Sequence, residues 1–325
     1  MSDDAGGSGE FHRIATYFAP LARAADASLG LTDDAALLSV PAGMELAVTA
    51  DTLVESVHFI GDEPADELAQ KCLRVNLSDL AAMGAQPYGY FLSLSLPNRI
   101  DDAWVAAFCQ GLGRDQAEFD WHLLGGDSTS TPGPISIAVT AMGLVEKGRA
   151  LRRSGAKPGD AVFVSGTIGD GFLGLLAVRG QLPYGPEADA VRRRYNVPDP
   201  RISLGSSLAG VAHSAMDVSD GLVADLTHIC AASGVGADID ARAVPVSSAA
   251  AELLAGAPDL FPDILTGGDD YELLVTGPEE AVLSAAASSG TRLTRIGAIR
   301  SGAGVSVLDG DGQVLQFVKT GFRHG

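Results

Sequence analysis

A helix-period stripe followed at once by a strand-period stripe constrains this chain more than any other feature. Pro64 opens a stretch with apolar residues at Leu68, Leu73, Leu77, Leu80 and Ala81, and Gly84 and Pro87 close it. That pattern predicts one long amphipathic helix. Directly after it, YGYFLSLSL at 88–96 alternates, with Tyr88, Tyr90, Leu92, Leu94 and Leu96 on one face. A strand with one apolar face and one small, polar face needs a covering layer, so this half reads as a mixed sheet covered on one side. Strands are also expected at 44–54, ending in Asp51, and at 134–145. A second helix is expected from Asp101 to Glu118, and a short apolar stretch at 122–124 runs into Gly125-Gly126-Asp127.

The pattern then restarts. The turn-rich segment EKGRALRRSGAKPGD at 146–160 carries Lys147, Arg149, Arg152, Arg153 and Lys157, and marks a boundary between domains 1–147 and 148–325. Beyond it we expect strand 160–166, a Gly-rich helix at 169–180, a polar insertion at 183–200, helix 201–212, strand 214–218 and helix 221–233. A further strand–helix pair follows, then strand 271–276, helix 278–289 and terminal strands 292–299, 303–308 and 313–318. The fold class is α/β, or α+β, in two lobes. A chain of 325 residues is long enough for two such cores.

Charge narrows the partners. With 22 Lys and Arg against 41 Asp and Glu, the formal net charge of −19 repels nucleic acid and anionic membranes. It would equally repel a phosphorylated substrate unless divalent cations intervene. Cys72, Cys109 and Cys230 are odd in number and widely spaced, which fits a reducing compartment and gives no zinc or disulfide pattern. No apolar run reaches the 18 or so residues of a membrane span. MSDDAGGSGE at the start is acidic and reads as an arm rather than a secretory signal, so a cytoplasmic location is expected.

The chemistry lies in aspartates placed beside Gly, Ser or Thr at predicted strand ends. The clusters are Thr32-Asp33-Asp34, Thr49-Ala50-Asp51-Thr52, Asn76-Leu77-Ser78-Asp79, Gly125-Gly126-Asp127-Ser128-Thr129, Asp217-Val218-Ser219-Asp220-Gly221 and Gly267-Gly268-Asp269-Asp270-Tyr271-Glu272. Singly, each reads as an N-cap or a turn. Two break local rules: Asp79 sits inside an apolar helix and Asp217 inside a strand, where Asp is disfavoured. Hard oxygen ligands scattered over several loops suit Mg²⁺ or Mn²⁺ held jointly with substrate phosphates, and no twelve-residue calcium loop is present. Gly125-Gly126 would let backbone N–H groups approach a phosphate, and Arg149, Arg152 or Arg153 could meet a nucleotide, although a solvated basic linker explains them as well. Phosphoryl transfer is the reaction class this predicts. The chain has no Walker-type phosphate loop, no dinucleotide fingerprint and no H-E-x-x-H. His12, His122, His213, His228 and His324 have no metal-like spacing and read as structural or exposed.

Together with Ala50-Asp51-Thr52-Leu53-Val54, His58-Phe59, Asn76 through Ala85 and Arg153 through Asp160, these strings resemble the thiamine-monophosphate kinase family, within the aminoimidazole ribonucleotide synthetase-like superfamily. The resemblance implies transfer of the γ-phosphoryl group of ATP to thiamine monophosphate, giving thiamine diphosphate and ADP. It implies several Mg²⁺ ions on Asp34, Thr49, the Ala50 carbonyl, Asp51, Asp79, Asp127, Asp217 and Asp220, with Asp127, Asp217 and Asp220 central to catalysis. Gly126, Asp127, Arg153 and Ser219 would contact ATP, and His58, Asp269 and Phe322 would hold thiamine monophosphate. It further implies a homodimer formed through the N-terminal sheet, for which the Tyr88–Leu96 face is the candidate strand. Thr32, Ala50, Asp269 and Phe322 depart from the residues usual in the family. Two rival readings stay open: another enzyme of the superfamily acting on a different phosphorylated or acyl substrate, and a non-catalytic nucleotide or metal sensor or scaffold.

Overall fold

The computed structural model describes residues 10–317 and Gly321; Phe322 and His324 lie outside the described residues. Two compact units emerge, one holding the chain up to Asn76 with Pro87–Leu144, the other holding Leu77–Gln86 with the chain from Val145 onward.

The first unit begins with short helices α1 (Glu10–Arg13) and α2 (Ala19–Ala22), separated by a π-helical turn at Ile14–Phe18. Strand β1 (Met44–Val54) and helix α3 (Ala65–Ala82) follow, then β2 (Gln86–Pro97), α4 (Asp102–Phe119), β3 (Leu123–Thr131) and β4 (Ser136–Glu146). The sheet order is β1-β4-β2-β3. Helix α4 starts where the Asp101 carboxylate accepts the Trp104 N–H at 2.9 Å. As the crossover between β2 and β3 it makes that pair parallel. Tyr90, Leu92, Leu94 and Leu96 are buried in the protomer, with Tyr90 tilted against Trp121 and its Oη accepting from Gln116 Nε2 at 3.1 Å. The apolar face that the sequence offers as a dimer strand is therefore already covered.

Two further expectations change. Strand β1 has the expected bounds, Met44–Val54, with Asp51 inside it rather than at its end. Gly125-Gly126-Asp127 lies inside β3 rather than at a strand end. Gly126 faces Leu92 across the parallel pair, and a Cβ on it would sit 1.8 Å from the Leu92 carbonyl oxygen, so close backbone packing already requires this glycine.

The second unit takes the C-terminal end of α3. That end closes in a Schellman arrangement: Ala85 N–H donates to Leu80 O, Gly84 N–H donates to Ala81 O, and Gly84 has φ +70°. Then come β5 (Ala161–Ser165), α5 (Asp170–Val178), α6 (Pro186–Asn196), α7 (Ile202–Leu208), β6 (Ser214–Asp217), α8 (Leu222–Ser233), β7 (Gly236–Asp240), α9 (Ser248–Gly256), α10 (Phe261–Thr266), β8 (Leu273–Gly277), α11 (Glu279–Ala286), β9 (Leu293–Arg300) and β10 (Gly304–Leu308). Their sheet runs β10-β7-β9-β5-β8-β6, with β10–β7 parallel and the remaining neighbours antiparallel. Every residue of β5 and β8 is buried, as central strands should be.

The expected polar insertion at 183–200 is instead largely helix α6, whose Ala188, Val191 and Tyr195 form a narrow buried stripe. It packs on α5, where the missing Cβ of Gly174 makes room for Tyr195. Expected strand 313–318 is reduced, among the described residues, to one bridge between Leu308 and Val314. No helix among the described residues is long and apolar enough to cross a membrane.

Candidate functional site

The antiparallel pairing in the second unit decides where its acidic motifs go. Asp217, the last residue of β6, pairs with Leu273, the first of β8, and Val164 of β5 pairs with Leu274. The segments after β5, after β6 and before β8 therefore emerge at the same end of the sheet.

There they interlock. Val218 N–H donates to Glu272 O, Tyr271 N–H to Val218 O, and Asp269 N–H to Ser219 O. A Cβ on Gly268 would stand 2.0 Å from the Ser219 carbonyl oxygen, so only glycine fits there. Asp269 and Tyr271 both adopt left-handed backbone, at φ +67° and +52°, and Tyr271 Oη donates to Asp269 Oδ1 at 3.0 Å. Strained non-glycine backbone of this kind persists only where its surroundings over-determine it. The left-handed Tyr271 also delays β8, which starts at Leu273 rather than at 271.

The acidic residues of these motifs take different roles. Asp270 is fully buried and accepts the N–H groups of Gly169 and Gly171, so it fastens one loop to another; burial holds its carboxyl well above the usual range. Glu272 is likewise buried and is gripped by Arg194 Nη2 at 2.7 Å, Arg201 Nε at 2.7 Å and the Ser165 hydroxyl. These two are structural. Asp269 is the member left with its carboxylate at the surface of the loop system, partly covered by Tyr271.

Asp217 is buried, with its Oδ2 accepting from Ser78 Oγ at 2.8 Å. Burial, then the Asp79 carboxylate, raises its carboxyl to about 8. The two aspartates that break local sequence rules thus face each other electrostatically at the end of α3. Sequence reasoning missed Asp225, on the first turn of α8. Its Oδ2 accepts from the N–H groups of Ser219, Asp220 and Gly221 at 3.0, 3.1 and 3.1 Å, which sets the shape of the Asp217–Gly221 turn. Burial, then Asp220, raises the Asp225 carboxyl to about 7. A carboxylate on the first helical turn after an S-D-G string was the available signal. His228, read from sequence as structural or exposed, is exposed and brings a ring nitrogen within 4.8 Å of oxygens of Asp220 and Asp225.

Arg153 is exposed in the segment before β5, and its carbonyl accepts from Ser233 Oγ at 3.3 Å. In the first unit, Thr49 and Asp51 share one face of edge strand β1 with Ala50 on the other, while Gly126 and Asp127 lie on the opposite edge strand β3. Three strand spacings separate these edges, about 14 Å along the sheet. Asp34 is exposed in the segment before β1. His58 closes the end of β1: its Nδ1 accepts the Val54 N–H at 3.1 Å, which fixes the proton of the neutral ring on Nε2. Phe322 lies outside the described residues.

Buried carboxylates whose protons are held this tightly link stability to pH. The unfolded chain releases those protons near pH 4, whereas the folded chain keeps them until about pH 7–8. Cation-free protein should therefore lose stability as pH rises from about 4 to about 8 and then level off. A bound divalent cation offsets the repulsion only once the carboxylates ionise. Thermal melts with and without Mg²⁺ should show the larger stabilisation at pH 8, and a larger one at pH 5.5 contradicts this site. The donor set fits such an ion: hard oxygens, several of them buried, at one loop cluster.

The chain matches the family described as AIR synthase related protein, N-terminal domain, over residues 32–145, and its C-terminal domain over residues 157–310. A thiamine-monophosphate kinase of Caulobacter vibrioides is 43% identical over 323 residues, 97% of this chain and 91% of the relative. That of Escherichia coli K12 is 46% identical over 275 residues, 83% of each chain. Among solved structures, a thiamine-monophosphate kinase from Stenotrophomonas maltophilia superposes with TM-score 0.82 at 44% identity, covering 92% of this chain and 98% of that one. AaThiL complexed with AMPPCP and TMP superposes at 0.78 with 31% identity, covering 96% of each. The hydrogenase maturation protein HypE, at 22% identity and TM-score 0.78, shares the fold.

Proposed function

The chain belongs to the AIR synthase related family, among its thiamine-monophosphate kinases, and from that premise we propose how its residues divide the work. It is an ATP-dependent kinase that phosphorylates thiamine monophosphate in thiamine diphosphate biosynthesis; a relative complexed with AMPPCP and TMP supports both substrates. The transfer is direct and in line, from the γ-phosphoryl group of ATP to the acceptor phosphate. That acceptor is already ionised near neutral pH, so no strong general base is needed, and positioning and charge neutralisation carry the rate.

The observation that carries this chemistry is the facing pair Asp79 and Asp217, two carboxyl groups whose joint ionisation burial makes costly without a cation. Mg²⁺, when bound, supplies neutralisation of the phosphate charge. In the second unit Asp79, Asp217 and Asp220 would hold it; in the first unit Asp34, Thr49, the Ala50 carbonyl, Asp51 and Asp127 would do so. Asp51 and Asp127 stand on opposite edges of one sheet and would serve different ions. Gly126, Asp127, Arg153 and Ser219 take the nucleotide, with Ser219 held in place by its bonds to Asp225 and Asp269. His58, Asp269 and Phe322 bind thiamine monophosphate. The two domains of this reading are 1–147 and 148–325. The chain works in the cytoplasm as a homodimer through its N-terminal sheet, where Val48 of β1 is an exposed apolar residue, as are Leu37 and Val40 in the segment before that strand.

ADP formation is the test. It should require both Mg²⁺ and thiamine monophosphate and stop with excess EDTA. ADP formation that ignores thiamine monophosphate, or persists in EDTA, rejects the reading.

A further inference from the structure

We propose that Asp220, Asp225 and His228 form a further divalent-cation site, sharing Asp220 with the Mg²⁺ set of the kinase reading, whose imidazole ligand makes it prefer a borderline transition ion such as Mn²⁺, Co²⁺ or Zn²⁺ over Mg²⁺. One ligand atom from each residue lies within 4.8 Å of the other two. In a six-coordinate site with bonds of about 2.1–2.2 Å, ligand atoms stand about 3 Å apart when adjacent and about 4.3 Å when opposed. Rotamer adjustment is therefore enough to close the set around an ion, and His228 is exposed and able to turn.

The local sequence explains the grouping. Asp220 stands just ahead of α8, while Asp225 and His228 are three residues apart on it and so share a face. The second observation is the Asp225 carboxylate itself. The residue is 1% exposed, its Oδ2 is committed to three backbone N–H groups, and its Oδ1 is buried with no hydrogen-bond partner. A buried carboxylate oxygen left in that state carries a desolvation penalty that a cation would remove. Ion choice follows from the donors. Mg²⁺ takes oxygen ligands and sheds water reluctantly, whereas imidazole nitrogen suits the later first-row ions. Three protein ligands leave the remaining positions to water or to a phosphate oxygen.

The inference rests on Asp220 facing a cation, as in the kinase reading, but needs neither nucleotide nor acceptor. The full-length, metal-stripped protein is titrated calorimetrically with Co²⁺ alone and with Mg²⁺ alone, and its Co²⁺ absorption spectrum is recorded. Wild type should bind one Co²⁺ more tightly than Mg²⁺, with a spectrum showing nitrogen ligation. His228→Gln should weaken that Co²⁺ site about tenfold or more, remove the nitrogen signature, and leave Mg²⁺ affinity and Mg²⁺-supported ATP turnover unchanged. His228 is exposed, so the variant should fold, and an unchanged melting temperature checks that it does. Equal Co²⁺ binding by wild type and His228→Gln overturns the site, as does an absence of preference for Co²⁺ over Mg²⁺. If His228-dependent Co²⁺ binding is present but ATP is not turned over, the kinase reading fails and this site stands.

Discussion

Asp217→Asn should lower turnover with Mg²⁺, ATP and thiamine monophosphate by about 10²–10³-fold, while raising the melting temperature of the cation-free protein at pH 8. Both effects come from one carboxylate. Asp217 is buried beside Asp79 and keeps its proton to about pH 8, so its ionised form is a liability to the folded state. Asparagine keeps the volume and can still accept the Ser78 hydroxyl, so the packing survives. What disappears is the charge, which destabilises the apoprotein and is needed by the chemistry. Each ~1 kcal/mol recovered corresponds to about 2–4 °C in a domain of this size, so a rise of a few degrees is expected at pH 8 and almost none at pH 4. Such opposition of stability and activity is the mark of a functional strain site. A variant with wild-type turnover, or one destabilised at pH 8, removes Asp217 from the metal-holding role.

Glu272→Ala should produce the largest loss of stability. The carboxylate is fully buried and joins Arg194, Arg201 and the Ser165 hydroxyl, linking α6 and the segment before α7 to the start of β8. Breaking one partner out of a buried ion cluster typically costs about 3–5 kcal/mol, because the charges left behind are neither paired nor hydrated. A fall in melting temperature of about 10 °C or more follows. The loops around Asp217 and Asp269 depend on the same strand end, since Val218 N–H donates to the Glu272 carbonyl. Glu272→Gln separates the contributions: it keeps the shape and part of the hydrogen bonding but not the charge, so it should fall between wild type and alanine. A melting temperature for Glu272→Ala within about 2 °C of wild type contradicts the assignment.

Periodicity reveals most of the framework, because long amphipathic elements announce which face is buried. Helix α3 and strand β2 are legible for that reason, down to the Gly84 stop. Helix α6 is not, since its buried stripe of Ala188, Val191 and Tyr195 is thin among Arg192, Arg193 and Arg194, and only packing on α5 makes it one. Strand β3 is hard to read from sequence, where only a short apolar stretch at 122–124 stands out, because Gly-Gly-Asp-Ser-Thr has low strand propensity; pairing with β2 overrides it. For the site, the acidic strings and the oddity of Asp79 and Asp217 can be read directly. The division of labour within Gly267–Glu272 cannot. Asp269, Asp270 and Glu272 look alike in sequence, and only burial separates one surface carboxylate from two structural ones. Asp225 escapes notice because its partner atoms lie on a turn whose shape the residue itself helps to set, and the grouping of His228 with it follows only once that turn is folded.

The most direct measurement is the mass of the products formed from ATP and thiamine monophosphate by the purified protein in Mg²⁺. Thiamine diphosphate and ADP should appear in equal amounts. ADP released without thiamine diphosphate, or thiamine monophosphate recovered unchanged while ATP binds, would contradict the kinase assignment.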